Sequence, residues 1–178
     1  MKSCTLLALA VLAAPSALPA QEMRSPMGDV GATRALYDMA KDWLIRSAEQ
    51  MPEANYAFQP TPQVRTFGQL VGHVANASYM FCSIAKGENN PSTADFEKTT
   101  SKAALVQAIK DASAYCDGAY QISDMKATEE VTLPFGNMKG SKLWLLMLNV
   151  AHDNEHYGNI VTYLRIKGLV PPSSQGGM

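Results

Sequence analysis

Residues 141–168 read SKLWLLMLNVAHDNEHYGNIVTYLRIKG. Leu143, Trp144, Leu145, Leu146, Met147, Leu148, Val150, Tyr157, Ile160, Val161 and Leu164 place apolar groups almost all round a helix drawn through this stretch. A helix apolar on nearly every side is central and touches several neighbours. It begins near Ser141 and ends at Gly168, and Pro171-Pro172 keeps it from resuming. Inside it, His152 and His156 are four apart, so they stack on one face about one turn from each other. Leu145, Leu148, Asn159 and Tyr163 share that face, which marks it as the core side.

Three more helical segments precede it. The first spans 31–51, with Leu36, Ala40, Trp43 and Ser47 on one face; Pro52 ends it, and Pro60 and Pro62 hold an extended connection. The second opens on Thr66-Phe67-Gly68-Gln69, a capping-box pattern, and runs to Lys86, where Gly87 is placed to stop it. A polar stretch at 88–100 carries the turn signal Asn89-Asn90-Pro91. The third helix spans 102–124, with Leu105, Ile109, Ala112, Cys116 and Ala119 stepping along one face. Residues 131–139 read as a short extended excursion, a small hairpin around Pro134-Phe135-Gly136. The expectation is an all-α fold, a four-helix bundle of up-and-down type with a short extended excursion before the last helix. Sites in such bundles are built from side chains on facing helices.

The bulk numbers narrow the function classes. A chain of 178 residues, 47% hydrophobic and 17% charged, supports one domain with a real core. Its net charge of -1, without a Lys/Arg run, gives no footprint for nucleic acid. Lys2 followed by the apolar run 5–14 and then small residues and prolines has the layout of a secretory signal peptide. Cleavage is expected after Ala20, before Gln21, although Leu18 is larger than such sites prefer. The run is too short to span a bilayer, no later stretch is long and apolar enough, and Cys4 lies too early for lipidation. The expected organisation is a signal peptide at 1–20, a mobile start at 21–28, the bundle at 29–170 and a flexible tail at 171–178. The expected location is periplasmic or secreted, without stable membrane insertion. In an oxidising compartment the remaining two cysteines, Cys82 and Cys116, pair by default, and two buried free thiols are the alternative.

The chain has three histidines. His73 sits on the second helix beside Leu70, Ala77, Met80 and Ile84, on its inward stripe. Three buried imidazoles need partners, and one metal ion would satisfy three acceptors at once. Spacing alone leaves both that reading and three separately satisfied core histidines open. His152-Asp153-Asn154-Glu155-His156 also fits H-x-x-E-H, the inverted zinc-peptidase pattern with Glu155 as general base. Such peptidases take a third ligand well downstream, and the 22 residues after His156 contain no Glu, Asp or His. The peptidase reading is set aside on that ground.

Three segments carry a resemblance to a known family: 65–74 (RTFGQLVGHV), 149–158 (NVAHDNEHYG), and Tyr163-Leu164-Arg165 with Val170-Pro171-Pro172-Ser173. Together they resemble the DinB/YfiT-like superfamily, over about residues 29–174. The name is shared with a DNA polymerase of unrelated fold and implies no DNA chemistry. The resemblance implies a four-helix bundle with a three-histidine metal site, whose ligands here are His73, His152 and His156. The implied cofactor is a divalent metal ion, nickel or zinc first, with iron and copper also accepted by histidine-only sites. Three neutral histidines leave a coordination position open, as catalytic sites do. Characterised relatives include transferases and isomerases that activate a low-molecular-weight thiol. Those thiols are cytosolic, so an exported member uses another cosubstrate or activates water.

The resulting expectation is a metal-dependent transferase or hydrolase acting on a small molecule. The alternative is a non-catalytic metal or small-ligand binding protein serving envelope stress. Glu155 is the candidate base, with Asn149, Asn159 and Asn76 as other polar groups near the metal; Asp153 points further round, toward a neighbouring helix or solvent. Tyr79, Tyr157 and Tyr163 read as core or pocket wall. Cys82 lies nine residues after His73, on the opposite helix face, which suits a tie to Cys116 and not a fourth ligand. A homodimer is compatible with a bundle of this kind.

Overall fold

A computed structural model describes residues 27–176, so the expected signal peptide lies outside the described residues. The chain forms α1 (Gly28–Gln50), α2 (Phe67–Lys86), α3 (Lys102–Asp117), a single turn α4 (Asp124–Ala127), β1 (Glu130–Thr132), β2 (Lys139–Ser141) and α5 (Lys142–Ile166). Three 3-10 turns at Glu53–Asn55, Phe96–Lys98 and Pro172–Ser174 fill the connections. The boundaries follow local chemistry. Thr66 accepts from the Gln69 amide while the Gln69 side chain accepts from the Thr66 amide, the full capping box. Gly87 ends α2 in the left-handed conformation, at φ 74°. Ser101 and Ser141 cap α3 and α5 in the same side-chain-to-amide manner. The two strands pair antiparallel, Val131 opposite Gly140, forming the hairpin expected around Pro134-Phe135-Gly136.

The four long helices make an all-α bundle. α5 packs against α1 and α2, and α3 packs against α2 and α1. The circular order is therefore α1, α3, α2, α5, and the connection 51–66 carries the chain across a diagonal. A plain up-and-down bundle would have set α1 beside α2. Two apolar clusters fill the interior. One gathers Leu44, Met51, Phe67, Leu70, Leu105, Ile109, Tyr157, Ile160 and Leu164; the other gathers Tyr37, Phe81, Tyr120, Leu133, Leu145 and Leu146. On α2 the seam between them falls after Ala75, and on α5 between Val150 and Tyr157. All three histidines lie at or beside that seam. Cys82 and Cys116 are joined by a disulfide that ties α2 to α3, with Cα atoms 5.2 Å apart. Among the described residues, no helix is long and apolar enough to cross a membrane.

Four further expectations are corrected. Leu36 is 52% exposed, and the buried face of α1 is Val30, Thr33, Tyr37, Ala40, Leu44, Ser47 and Ala48. Turning Tyr37 inward, where its ring stacks 4.2 Å from Tyr120, buries more apolar surface than Leu36 would. The third helix stops at Asp117; Tyr120 then turns into the core and Ser123 caps a separate turn, α4. Asp124 of that turn accepts from the Val30 amide at 2.9 Å and so caps α1. Trp144 and Met147 are exposed, so α5 is apolar all round in sequence but not buried all round. Finally, residues 171–175 do not trail away. Pro172 is buried, Ser173 and Tyr157 share a hydroxyl hydrogen bond of 2.8 Å, and Gln175 accepts from Arg46 and donates to Gln50.

Candidate metal centre

α2 contributes His73 and α5 contributes His152 and His156, and the packing of these two helices brings the rings together. His152 Nε2 lies 3.2 Å from His73 Nε2 and 3.1 Å from His156 Nε2. One ligand nitrogen from each residue lies within 4.8 Å of the others. The far side of the His152 ring meets Phe81 edge to face, at 5.5 Å between centroids. His156 is buried and the other two are half-buried. Burial, then the neighbouring His156 and His73 rings, pushes His152 down to about 3. Burial first, then His73, also lowers His156. Both rings are therefore neutral at physiological pH and are free to act as ligands.

The donor set fits a divalent ion. His73 Nδ1 donates to the Glu97 carboxylate at 2.7 Å, which leaves His73 Nε2 as a bare acceptor. A single His152 Nε2 carries at most one hydrogen and His73 Nε2 carries none, so without a cation at least one of the two contacts is left without a well-directed hydrogen bond. Two nitrogens each about 2.0–2.1 Å from one ion lie about 2.8–3.4 Å apart over the span from octahedral to tetrahedral angles. The two Nε2 contacts of His152 fall in that range. The chemistry available is that of a three-nitrogen site with room for an exogenous ligand.

The room is visible beside His156. An open cavity of about 760 Å³ is walled by the 60–65 connection, the start of α2 and the last turns of α5. His156, Glu155, Asn159, Tyr163 and Arg65 line it. Glu155 is exposed at its edge, on the His156 side. Asn159 faces the same space, whereas Asn149 and Asn76 do not belong to it. Asn149 is fully buried and donates to Tyr120 and Asp153; Asn76 holds Asp95 and the Phe96 amide. Tyr163 is the cavity wall that the sequence suggested, its hydroxyl donating to the Arg65 carbonyl at 2.6 Å. Tyr157 stacks on Trp43 and Tyr79 on Phe96, away from the cavity.

Two features escaped the sequence reading. Asp153 is 2% exposed and meets no solvent; it accepts from Asn149 one turn earlier, and burial pushes its carboxyl up to about 8. It is therefore protonated at neutral pH. Glu97 comes from the polar connection and bridges His73 and Arg65, with Arg65 Nε donating at 2.9 Å. Burial opposes its ionisation, but Arg65 and His73 together hold its carboxyl below the usual range. The available signal for Glu97 was Gly72: a glycine inside a helix, next to His73, is costly unless another backbone must pass close by.

Comparison with known proteins bears on this arrangement. Residues 35–160, more than half of the chain, match the model of a family described as the DinB superfamily. A solved DinB-like protein from Bacillus cereus superposes with a TM-score of 0.69 at 17% identity, covering 82% of this chain and 95% of its own. A DinB-like protein from Bacillus subtilis superposes at 0.62 and 20% identity, covering 83% and 99%. Identities this low speak for the shared fold alone. No curated protein matches the chain.

Proposed function

The chain belongs to the DinB superfamily, and from that premise we propose that it is a divalent-metal-dependent hydrolase or transferase acting on a small molecule. The observation that supports this most is the convergence of His73, His152 and His156, the last of which lines a cavity of about 760 Å³. A closed structural site would surround the ion with protein; here one side faces a space large enough for a small organic ligand. When bound, a divalent ion at these nitrogens supplies Lewis acidity, lowering the pKa of a coordinated water or thiol and polarising a carbonyl.

The protein groups divide the remaining work. Phe81 closes the back of the His152 ring against water. Arg65, Asn159, Thr162 and Tyr163 offer polar contacts that orient a substrate along the cavity. Glu155, at the rim, is the group placed to take or return a proton. The proposal includes nickel or zinc as the resident ion, and export to the periplasm or beyond after removal of residues 1–20. The layout of the N-terminal sequence supports export, and the Cys82–Cys116 disulfide is consistent with it.

Zinc- or nickel-loaded protein is to be assayed against ester, amide and thiol-conjugation substrates. The expected outcome is turnover in at least one class, lost in His152→Ala and not restored by added metal. Silence across all three classes, with metal bound tightly, contradicts the enzyme and leaves a binding protein.

A further inference from the structure

The short turn Phe96–Lys98 is fastened to α2 in a way its surface position does not require. Asn76 donates from Nδ2 to Asp95 at 3.1 Å and accepts the Phe96 amide on Oδ1 at 3.1 Å. Beside it, the Phe96 backbone lies so close to Gly72 that a Cβ there would run into the Phe96 carbonyl. Gly72 is the residue before His73. The clamp therefore fixes the turn directly over the first metal-site histidine. What it delivers is Glu97, one carboxylate oxygen on His73 Nδ1 at 2.7 Å and the other on Arg65 Nε at 2.9 Å.

A lone surface pair such as Arg65–Glu97 contributes little by itself. The paired use of both oxygens matters more, because Arg65 fixes which way the carboxylate faces. We propose that Glu97 is a positioning residue for the metal centre: held by Arg65 and by the Gly72–Asn76 clamp, it keeps the proton of His73 on Nδ1 and leaves Nε2 bare for the ion. This rests on the metal reading of the three histidines. A carboxylate behind a ligand histidine fixes tautomer and ring orientation and raises ligand basicity. His152 and His156 have no such partner on Nδ1 among the described residues, which makes His73 the anchored member of the three.

Glu97→Gln tests it. The amide has one oxygen, for which Arg65 and His73 now compete as donors. When Arg65 takes the oxygen, the amide NH2 faces Nδ1 and drives the imidazole proton to Nε2, where it blocks the metal. Long-range proton–nitrogen spectra of the metal-free mature chain report the His73 tautomer, and competition with a chromophoric chelator reports zinc affinity. The expected result is the Nδ1–H tautomer in the wild type. In the variant we expect a population shifted to Nε2–H and zinc bound about 10- to 100-fold more weakly. Stoichiometry and thermal stability of the metal-free chain stay essentially unchanged. An unshifted tautomer with unchanged affinity overturns the role of Glu97 alone. A wild type that takes up no zinc overturns the metal reading, and this proposal with it.

Discussion

At the scale of single residues, the histidine cluster and the buried Asp153 make opposite demands on pH. His152 has a folded pKa of about 3 against 6.5 for a free histidine. Between those values the unfolded chain takes up a proton that the folded, metal-free chain refuses, so acidification through that window destabilises the fold. His156 acts in the same direction. Asp153 does the reverse: its folded pKa of about 8 lies above 3.8, so the folded chain holds the extra proton and rising pH through that window is destabilising. The two windows overlap between 3.8 and 6.5, where the slopes of His152 and Asp153 offset each other, so the metal-free protein should lose stability as pH rises from 6.5 to about 8, each group contributing a slope of at most about 1.4 kcal/mol per pH unit. Asp153→Asn should remove the alkaline loss. Thermal melts are expected to show a larger gain for this variant at pH 8.5 than at pH 5; an equal gain at both would contradict a protonated Asp153. At the ligands themselves, His156→Ala removes one of three nitrogens and should weaken zinc binding by at least about 100-fold, measured by the same chelator competition.

At the scale of elements, the clamp on α2 and the disulfide each make a separable contribution. Gly72→Ala pushes the Phe96–Lys98 turn off the helix without touching a ligand. It should cost about 1–3 kcal/mol in urea unfolding, as overpacking does, and should also lower zinc affinity. Loss of stability without loss of affinity would separate the turn from the site. Breaking the Cys82–Cys116 tie, which spans 34 positions, by a double serine replacement should cost about 3–4 kcal/mol by loop-closure reasoning. Element by element, legibility tracked how local the cause was. The capping box at Thr66, the stop at Gly87 and the histidine pair on α5 are set by neighbours within one turn, and all were readable. The inward turn of Tyr37 in place of Leu36 depends on Tyr120 arriving from beyond α3. The burial of Asp153 depends on other helices packing against α5, and the reach of Glu97 depends on a loop folding back across α2. None of these partners is near in sequence, so composition and period carry no trace of them, and only Gly72 signals the last.

At the scale of the whole molecule, the bundle order explains why one site can be made from two helices distant in sequence. Running α1 to α2 across the diagonal lets α5, the last helix in the chain, lie against α2 and bring His152 and His156 to His73. The two apolar clusters on either side hold the rings at their seam, where imidazoles displace least packing. If the N-terminal reading is right, protein recovered from the periplasm should begin at Gln21, as intact mass would show; a chain retaining Met1 in the cytoplasm would contradict export. The central claim is that the three histidines hold one ion. It is tested most directly by elemental analysis of protein purified without a histidine tag, wild type beside His73→Ala. The account predicts about one nickel or zinc per wild-type chain, largely lost in the variant. Less than about 0.3 metal per chain, unchanged by His73→Ala, would contradict it.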